Sequence, residues 1–466
     1  MTGNRIETAE HIPLGIKIAY GGAEGASSLV FTMFGLYFLF FMTDVVGIGP
    51  DVAGVILFAA NAWDAITDPA MGIISDRTHS RYGRRRPYLL AVAVPFGFVL
   101  WLLFSVPPLH GRALVAYYLA VCVFMDAAIT ALDVPYTALA PEMTKDYDER
   151  TSLVSFRVVW SQVGSIVAAT VPLLIVQRFS NPKTGWSVAG LILGVACIFP
   201  ILLTWRLTRG WERYVEETEP LRFKDMFNAV FRNRPFRYLV WTYLFAITAV
   251  SASGAMGMYF LQYWMGFSEG QISLFFLFFF VCTVLWVPAI TVASNRLGKR
   301  GAFIVFMGIW ALVYGIGNFS VRPHHTAFMY VLAALGSAGA CASFQLCWAM
   351  IADVVEVDEF KSGRRREGLY YGVATFVLKI GSAFALLLIG QILNWIGYVP
   401  NMVQVPAVLM GLRIMFGPLL AGLIAISVVI AYFMPMTRER HKALLEAIEA
   451  KRAGEAWNEE GFKELL

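Results

Sequence analysis

The sequence predicts an all-α membrane protein of about twelve transmembrane helices in two pseudo-symmetric six-helix bundles, on three observations. Of 466 residues, 58% are hydrophobic and only 15% are charged, with a mean hydropathy of +0.63. Soluble globular chains are roughly a quarter charged, so this chain belongs in a bilayer. Apolar runs of about 20 residues, long enough to cross a hydrocarbon core, recur from end to end. The two halves also echo one another around a polar centre.

In order, the expected spans are 14–42, 52–75, 87–106, 113–142, 152–177 and 185–206, then 236–264, 270–293, 302–319, 326–355, 368–393 and 411–434. The polar stretch after Arg206 divides them six and six. The expected parts are an N-terminal bundle over 1–206, a central loop over 207–235, a C-terminal bundle over 236–435 and a tail over 436–466. Ser75-Asp76-Arg77 with Gly83-Arg84-Arg85-Arg86 follows the second span, and Ser294-Asn295-Arg296 with Gly298-Lys299-Arg300 follows the eighth. Ala140-Pro141-Glu142 closes the fourth span as Ile351-Ala352-Asp353 closes the tenth. Two related halves are the layout of a rocking carrier with a mid-membrane site.

Basic residues set the expected orientation. Arg77, Arg81, Arg84, Arg85, Arg86, Arg206, Arg209, Arg213, Lys224, Arg296, Lys299, Arg300, Lys361, Arg364, Arg365, Arg366, Arg438 and Lys442 fall in one set of loops and the tail. The opposite loops, such as Thr43–Asp51, Pro107–Arg112 and Gly397–Gly411, are short and nearly uncharged. The positive-inside rule then places both termini on the cytoplasmic side of the cell (inner) membrane. The net charge of +5 reads as a topology signal, so no nucleic-acid partner is expected. Arg5, Glu7, Glu10 and His11 ahead of the first span do not read as a cleavable signal. Cys122, Cys197, Cys282, Cys341 and Cys347 lie inside spans without metal-ligand spacing and read as packing residues. The six histidines lie outside the spans or at their edges, which leaves proton work in the membrane to carboxylates. In the tail, charges alternate with Leu444, Leu445 and Ile448, as in a surface helix with a solvated face.

The chemistry concentrates in the second span, in Asn61-Ala62-Trp63-Asp64-Ala65-Ile66-Thr67-Asp68-Pro69. A carboxylate at the centre of a membrane helix costs about 2.5–3.5 kcal/mol on insertion scales. Asp64 and Asp68, four apart, place two on one face. They call for a cation, a proton or a basic side chain in a wet cavity. Asp126 and Asp133 share a face of the fourth span with Thr130 between them. Oxygens of Asp64, Asp68, Thr67 and Thr130 would suit a hard cation such as sodium, or a proton. Lys379 lies mid-span, too deep to snorkel, and calls for Asp64, Asp133 or an anionic substrate as its partner. Glu24 sits among small residues in the first span, where helices can approach closely. Asp76, Arg77, Arg84, Arg85, Asp353, Glu356, Glu359 and Arg366 are expected to form a cytoplasmic gate of paired charges, with Asp353, Glu356 and Glu359 striping one helical face.

Six motifs carry a resemblance. They are Tyr20-Gly21, Thr43-Asp44-Val45-Val46-Gly47, Trp63 to Pro69, Asp133-Val134-Pro135-Tyr136, Lys379-Ile380-Gly381-Ser382-Ala383-Phe384 and Ile396-Gly397-Tyr398-Val399-Pro400-Asn401. In this order and at these spans the chain resembles the glycoside–pentoside–hexuronide:cation symporters of the major facilitator superfamily, the family that includes the melibiose permease. The resemblance covers nearly the whole chain. It implies a secondary active transporter that couples a cation, sodium or proton, to a sugar, glycoside or hexuronide by alternating access. It further implies that Asp64 and Asp68 hold the cation with Thr67 and Thr130 as helpers. Asp133, Arg157 and Phe344 would line the substrate site, and Lys379 would lie between the two. No cofactor is expected beyond the coupling ion. The expected partners are a small-molecule substrate, that cation and the lipid bilayer, with the chain a monomer.

Two positions depart from the family pattern. The acidic sugar ligand of the first helix aligns with Ser28 and the stacking aromatic of the fourth with Thr137. Glu24, one turn before Ser28, is the candidate replacement. The sugar ligands are also missing from related sodium-coupled lysophospholipid symporters, which keeps an amphipathic substrate as the alternative. An intramembrane prenyltransferase would match Asn61-x-x-Asp64-x-x-x-Asp68, but the corresponding segment Ile272–Ala293 has no acid. A non-transporting sensor would share the fold without the flux.

Overall fold

Helices account for nearly all of the structure, a computed structural model that describes residues 11–212, 232–363 and 366–466. Arg5, Glu7, Glu10, Arg213, Lys224, Arg364 and Arg365 lie outside the described residues. The first half comprises α1 (Leu14–Met33), α2 (Pro50–Asp76), α3 (Arg86–Leu103), α4 (Arg112–Thr137), α5 (Tyr147–Val176) and α6 (Pro182–Leu207). The second comprises α7 (Arg234–Tyr259), α8 (Glu269–Leu312), α9 (Thr326–Ser362), α10 (Glu367–Trp395) and α11 (Pro406–Phe433), followed by the tail helix α12 (Arg438–Ala453). No strand occurs among the described residues.

Local chemistry sets several starts. Asp146 accepts a hydrogen bond from the Glu149 amide at the head of α5, and Asn233 from the Phe236 amide at the head of α7. Each oxygen satisfies a backbone donor that the helix cannot. Pro182 and Pro235 occupy first-turn positions where no amide donor is needed. Nine helices among the described residues are long and apolar enough to cross a membrane. The longest holds two expected spans, 270–293 and 302–319, joined at Gly298. Apolar side chains on the spans remain open to the surroundings, with Phe199 and Leu285 each 70% exposed. A protein in water would bury such residues, whereas lipid solvates them.

The expected internal echo is visible in geometry. Gly83 and Gly298 both take positive φ, 95° and 76°, a backbone that side-chain-bearing residues rarely adopt. After Gly83, Arg84 and Arg85 grip Glu142 at 2.5 and 3.1 Å. After Gly298, Lys299 pairs with Asp353.

Packing gathers the chain into two units, Met1–Phe34 with Ile66–Pro220 and Gly35–Ala65 with Leu221–Leu466. In the first, α1 runs along α5 and α6, and α3 packs on α4 and α6. Glycine permits the tightest approach: a Cβ on Gly164 would lie 2.1 Å from the Gly25 carbonyl oxygen. In the second, α8 packs on α9 and α11, and α7 on α10 and α11. The early part of α2 belongs here, with Phe58 edge-on to Phe384 at 5.3 Å.

The tail is more engaged than its charge pattern suggests. Leu444 and Ile448 are buried as the spacing predicts, and Leu445 is exposed. Its charges, expected to be solvated, are partly paired: His441 to Glu356, Arg452 to Glu359 and Arg440 to Glu464. Sequence spacing could not reveal this, because the partners come from α9 and from the end of the chain.

Candidate substrate and cation sites

In the first unit, α1 and α5 run as a register of polar pairs. Arg157 donates to Glu24 Oε2 through Nε and Nη2 at 2.9 and 2.6 Å. One turn on, Ser28 Oγ meets Ser161 Oγ at 2.7 Å, and a further turn on Thr32 donates to Ser165 at 2.9 Å. Each helix advances four residues per rung, so one face of each carries the whole ladder. The Gly25–Gly164 contact lets the two backbones come close enough for such short side chains to meet. Arg157 also lies 5.1 Å from the centre of the Tyr136 ring, and Tyr20 and Tyr136 exchange hydroxyl-to-carbonyl bonds. Asp133 on α4 accepts from Ser27 at 2.8 Å. Glu24 and Arg157 keep about a fifth of their side-chain surface exposed, which leaves room for a ligand at the rung. Such an array of carboxylate, guanidinium and hydroxyl groups offers donors and acceptors of both kinds to a hydroxyl-rich molecule.

The α2 carboxylates fall on either side of the boundary between the units. Asp64, in the second, pairs with Lys379 of α10 at 2.7 Å, so the expected partner of the mid-span lysine is found. Asp68, in the first, accepts from Thr130 at 3.0 Å. The structure therefore brings Thr130 to an α2 acid and Lys379 to the other. Thr67 is half-buried on the same helix.

Phe344 is half-buried on α9 and makes no ring contact among the described residues. Thr137 is exposed and donates to the Val134 carbonyl of its own helix. The gate residues pair inside their own units. Arg85 bridges Asp76 and Glu142, and Arg84 joins Glu142. Arg366 holds Asp358 at 2.5 Å, while Asp353, Glu356 and Glu359 meet Lys299, His441 and Arg452. Arg77 is exposed and makes no ion pair among the described residues.

Sequence reasoning missed the hydroxyl rungs Ser161, Ser165 and Thr32, although the matched four-residue spacing on α1 and α5 was there to see. It also missed how two motifs meet. Asp44 accepts from Tyr398 at 2.7 Å and from Tyr263, and its carbonyl accepts from the Asn401 side chain at 2.5 Å. The Thr43-Asp44 and Tyr398-to-Asn401 motifs thus form one buried knot in the second unit.

The fold and these intramembrane polar sites define a membrane transporter of the major facilitator type, and solved structures agree on the fold. A crystal structure of the nucleoside transporter NupG matches with a TM-score of 0.66 at 14% identity, covering 90% of this chain and 98% of that one. A structure of a bacterial homologue of the human drug peptide transporters PepT1 and PepT2 matches with a TM-score of 0.65 at 13% identity, again over 90% and 98%. The family model described as MFS/sugar transport protein matches residues 19–438, and the chain belongs to that family. It is a transporter and not an enzyme. It is similar to the uncharacterized symporter YnaJ of Bacillus subtilis, with 28% identity over 95% of this chain and 96% of that protein. The isoprimeverose transporter of Lactiplantibacillus pentosus is 27% identical over 84% of this chain and 82% of its own length.

Proposed function

We propose that this chain carries a sugar or glycoside across the cell (inner) membrane by cation-coupled symport, with both termini cytoplasmic and the monomer as the working unit. The observation that carries the coupling is the Asp64–Lys379 pair inside the membrane. Ion pairs in a low-dielectric interior resist separation unless another charge replaces one partner. A sodium ion or a proton arriving at Asp64 is such a replacement, and it would release Lys379. Asp68, one turn on along the same helix, accepts a hydrogen bond from Thr130 of α4 and offers further oxygen. No resident cofactor is involved, and the coupling ion is sodium or a proton.

The Glu24–Arg157 pair, Ser28, Ser161 and Asp133 supply the hydroxyl-binding surface within the first unit. Glu24 takes the role of the family acid that is Ser28 here. Support comes from the sugar-transport family, from relatives named symporters and from the isoprimeverose transporter. That support favours a sugar over a lysophospholipid. Purified protein in proteoliposomes, offered labelled neutral glycosides, pentosides and hexuronates under a sodium or proton gradient, should accumulate at least one of them. Accumulation that ignores both gradients would refute the coupling.

A further inference from the structure

The two halves treat their equivalent acids differently. Glu142 in the first unit is gripped by two guanidiniums, which never lose their charge in a protein. Asp353 in the second is faced by the Lys299 ammonium and the His441 imidazole. Asp353 and Glu356, three apart on α9, point to one side. The tail helix α12 lays His441 across them, with Nε2 2.5 Å from Glu356 Oε2 and 3.7 Å from Asp353 Oδ1. One ligand atom from each of the three lies within 4.8 Å of the others. A cavity of about 300 Å³ opens beside Asp353 and His441, with Asn295, Lys299 and Thr437 on its walls.

From this geometry we propose that Asp353, Glu356 and His441 bind a divalent transition metal, Zn²⁺ foremost, which fastens the tail helix to the end of α9. One imidazole nitrogen with two carboxylates is a donor set that suits zinc. Bonds of about 2.0–2.2 Å in a tetrahedral site place ligand atoms roughly 3.3–3.5 Å apart. The two separations from His441 bracket that value, so small side-chain rotations suffice. Two carboxylates supply the negative charge that a divalent cation requires. Lys299 has somewhere to go, since it already donates to the Ala349 carbonyl at 3.1 Å. Arg438, also on the cavity wall, is held by the Arg296 carbonyl at 3.1 Å. The cavity admits the ion and the water that completes its coordination.

The test is zinc binding to the full, tag-free chain in detergent, read by competition with a chromophoric chelator. The wild type should bind one Zn²⁺ per chain, and His441→Gln and Glu356→Gln should each weaken that binding at least tenfold. Lys299→Met should bind as tightly or more tightly, because a competing cation is gone. Chromatographic monodispersity of each variant guards against misfolding, and the two ligand variants check one another. In the wild type, Zn²⁺ should slow proteolysis of the tail after Met436, and in His441→Gln it should not. Absence of saturable one-site binding overturns the proposal, as does equal affinity in the wild type and both ligand variants.

Discussion

The seam between α1 and α5 and the seam between α7 and α10 differ in what they hold. The first is a polar ladder that starts with the Lys17–Glu149 ion pair and continues through Glu24–Arg157, Ser28–Ser161 and Thr32–Ser165. The second carries uncharged side-chain rungs, Asn233–Tyr370 at 3.2 Å and Ser251–Ser382 at 2.8 Å, with Thr248 donating to the Gly381 and Leu244 carbonyls. A Cβ on Gly381 would meet the Ile247 side chain of α7 at 2.5 Å. The mid-span charge on α10 is Lys379, directed to Asp64 of α2. Under the proposed function, the fixed charge of the first seam grips a hydroxylated substrate, and the Lys379–Asp64 charge exchanges for a cation. Arginine suits the first task because it stays protonated and binds carboxylate through two donors, and lysine, a compact point charge, suits the second.

Removing the charge from the first seam should have the largest effect on binding. Arg157→Met leaves Glu24 without its ion partner and should weaken substrate binding by about 2–3 kcal/mol, roughly 30- to 150-fold. Calorimetry with the transported sugar checks this, and unchanged affinity would remove the ladder from the substrate site. Closing the seam sterically comes next. Gly164→Ala sets a methyl group against the Gly25 backbone, which has no side chain to move aside. A loss of about 1–3 kcal/mol is expected, seen as a lower unfolding temperature.

Glu24→Gln keeps the size and removes the charge. It should cost about 1.5–3 kcal/mol of substrate affinity, the range for hydrogen bonds to a charged group, while cation binding stays near normal. Loss of folding instead would make the pair a structural brace. The smallest expected effect sharpens the contrast between seams. Ser161→Ala should lower substrate affinity by about 0.5–1.5 kcal/mol, and Ser251→Ala should leave it unchanged within error. Equal effects would mean that the halves contribute alike.

Much of this was legible in the sequence because membrane helices must satisfy their own backbone and expose apolar surface. The span pattern, the two α2 acids and the deep lysine follow from that constraint, and Lys379 does meet an acid named in advance. The repeat was legible through Gly83 and Gly298, whose backbone demands recur with their basic neighbours. What stayed hidden depends on side chains from distant elements. Glu24 and Arg157 are each visible, but only packing shows that they share a rung. The tail charges read as solvated because Glu356 and Glu359 lie on another helix, about a hundred positions away. The Asp44 knot joins residues far apart in the chain for the same reason.

The central claim is that cation coupling runs through the α2 carboxylates, and one measurement addresses it directly. Asp64→Asn and Asp68→Asn proteins in proteoliposomes should be compared with the wild type for gradient-driven accumulation and for substrate exchange at equal concentrations. Both variants are expected to lose accumulation under a sodium or proton gradient while retaining exchange. If both concentrate substrate as the wild type does, coupling does not pass through Asp64 and Asp68, and the account is contradicted.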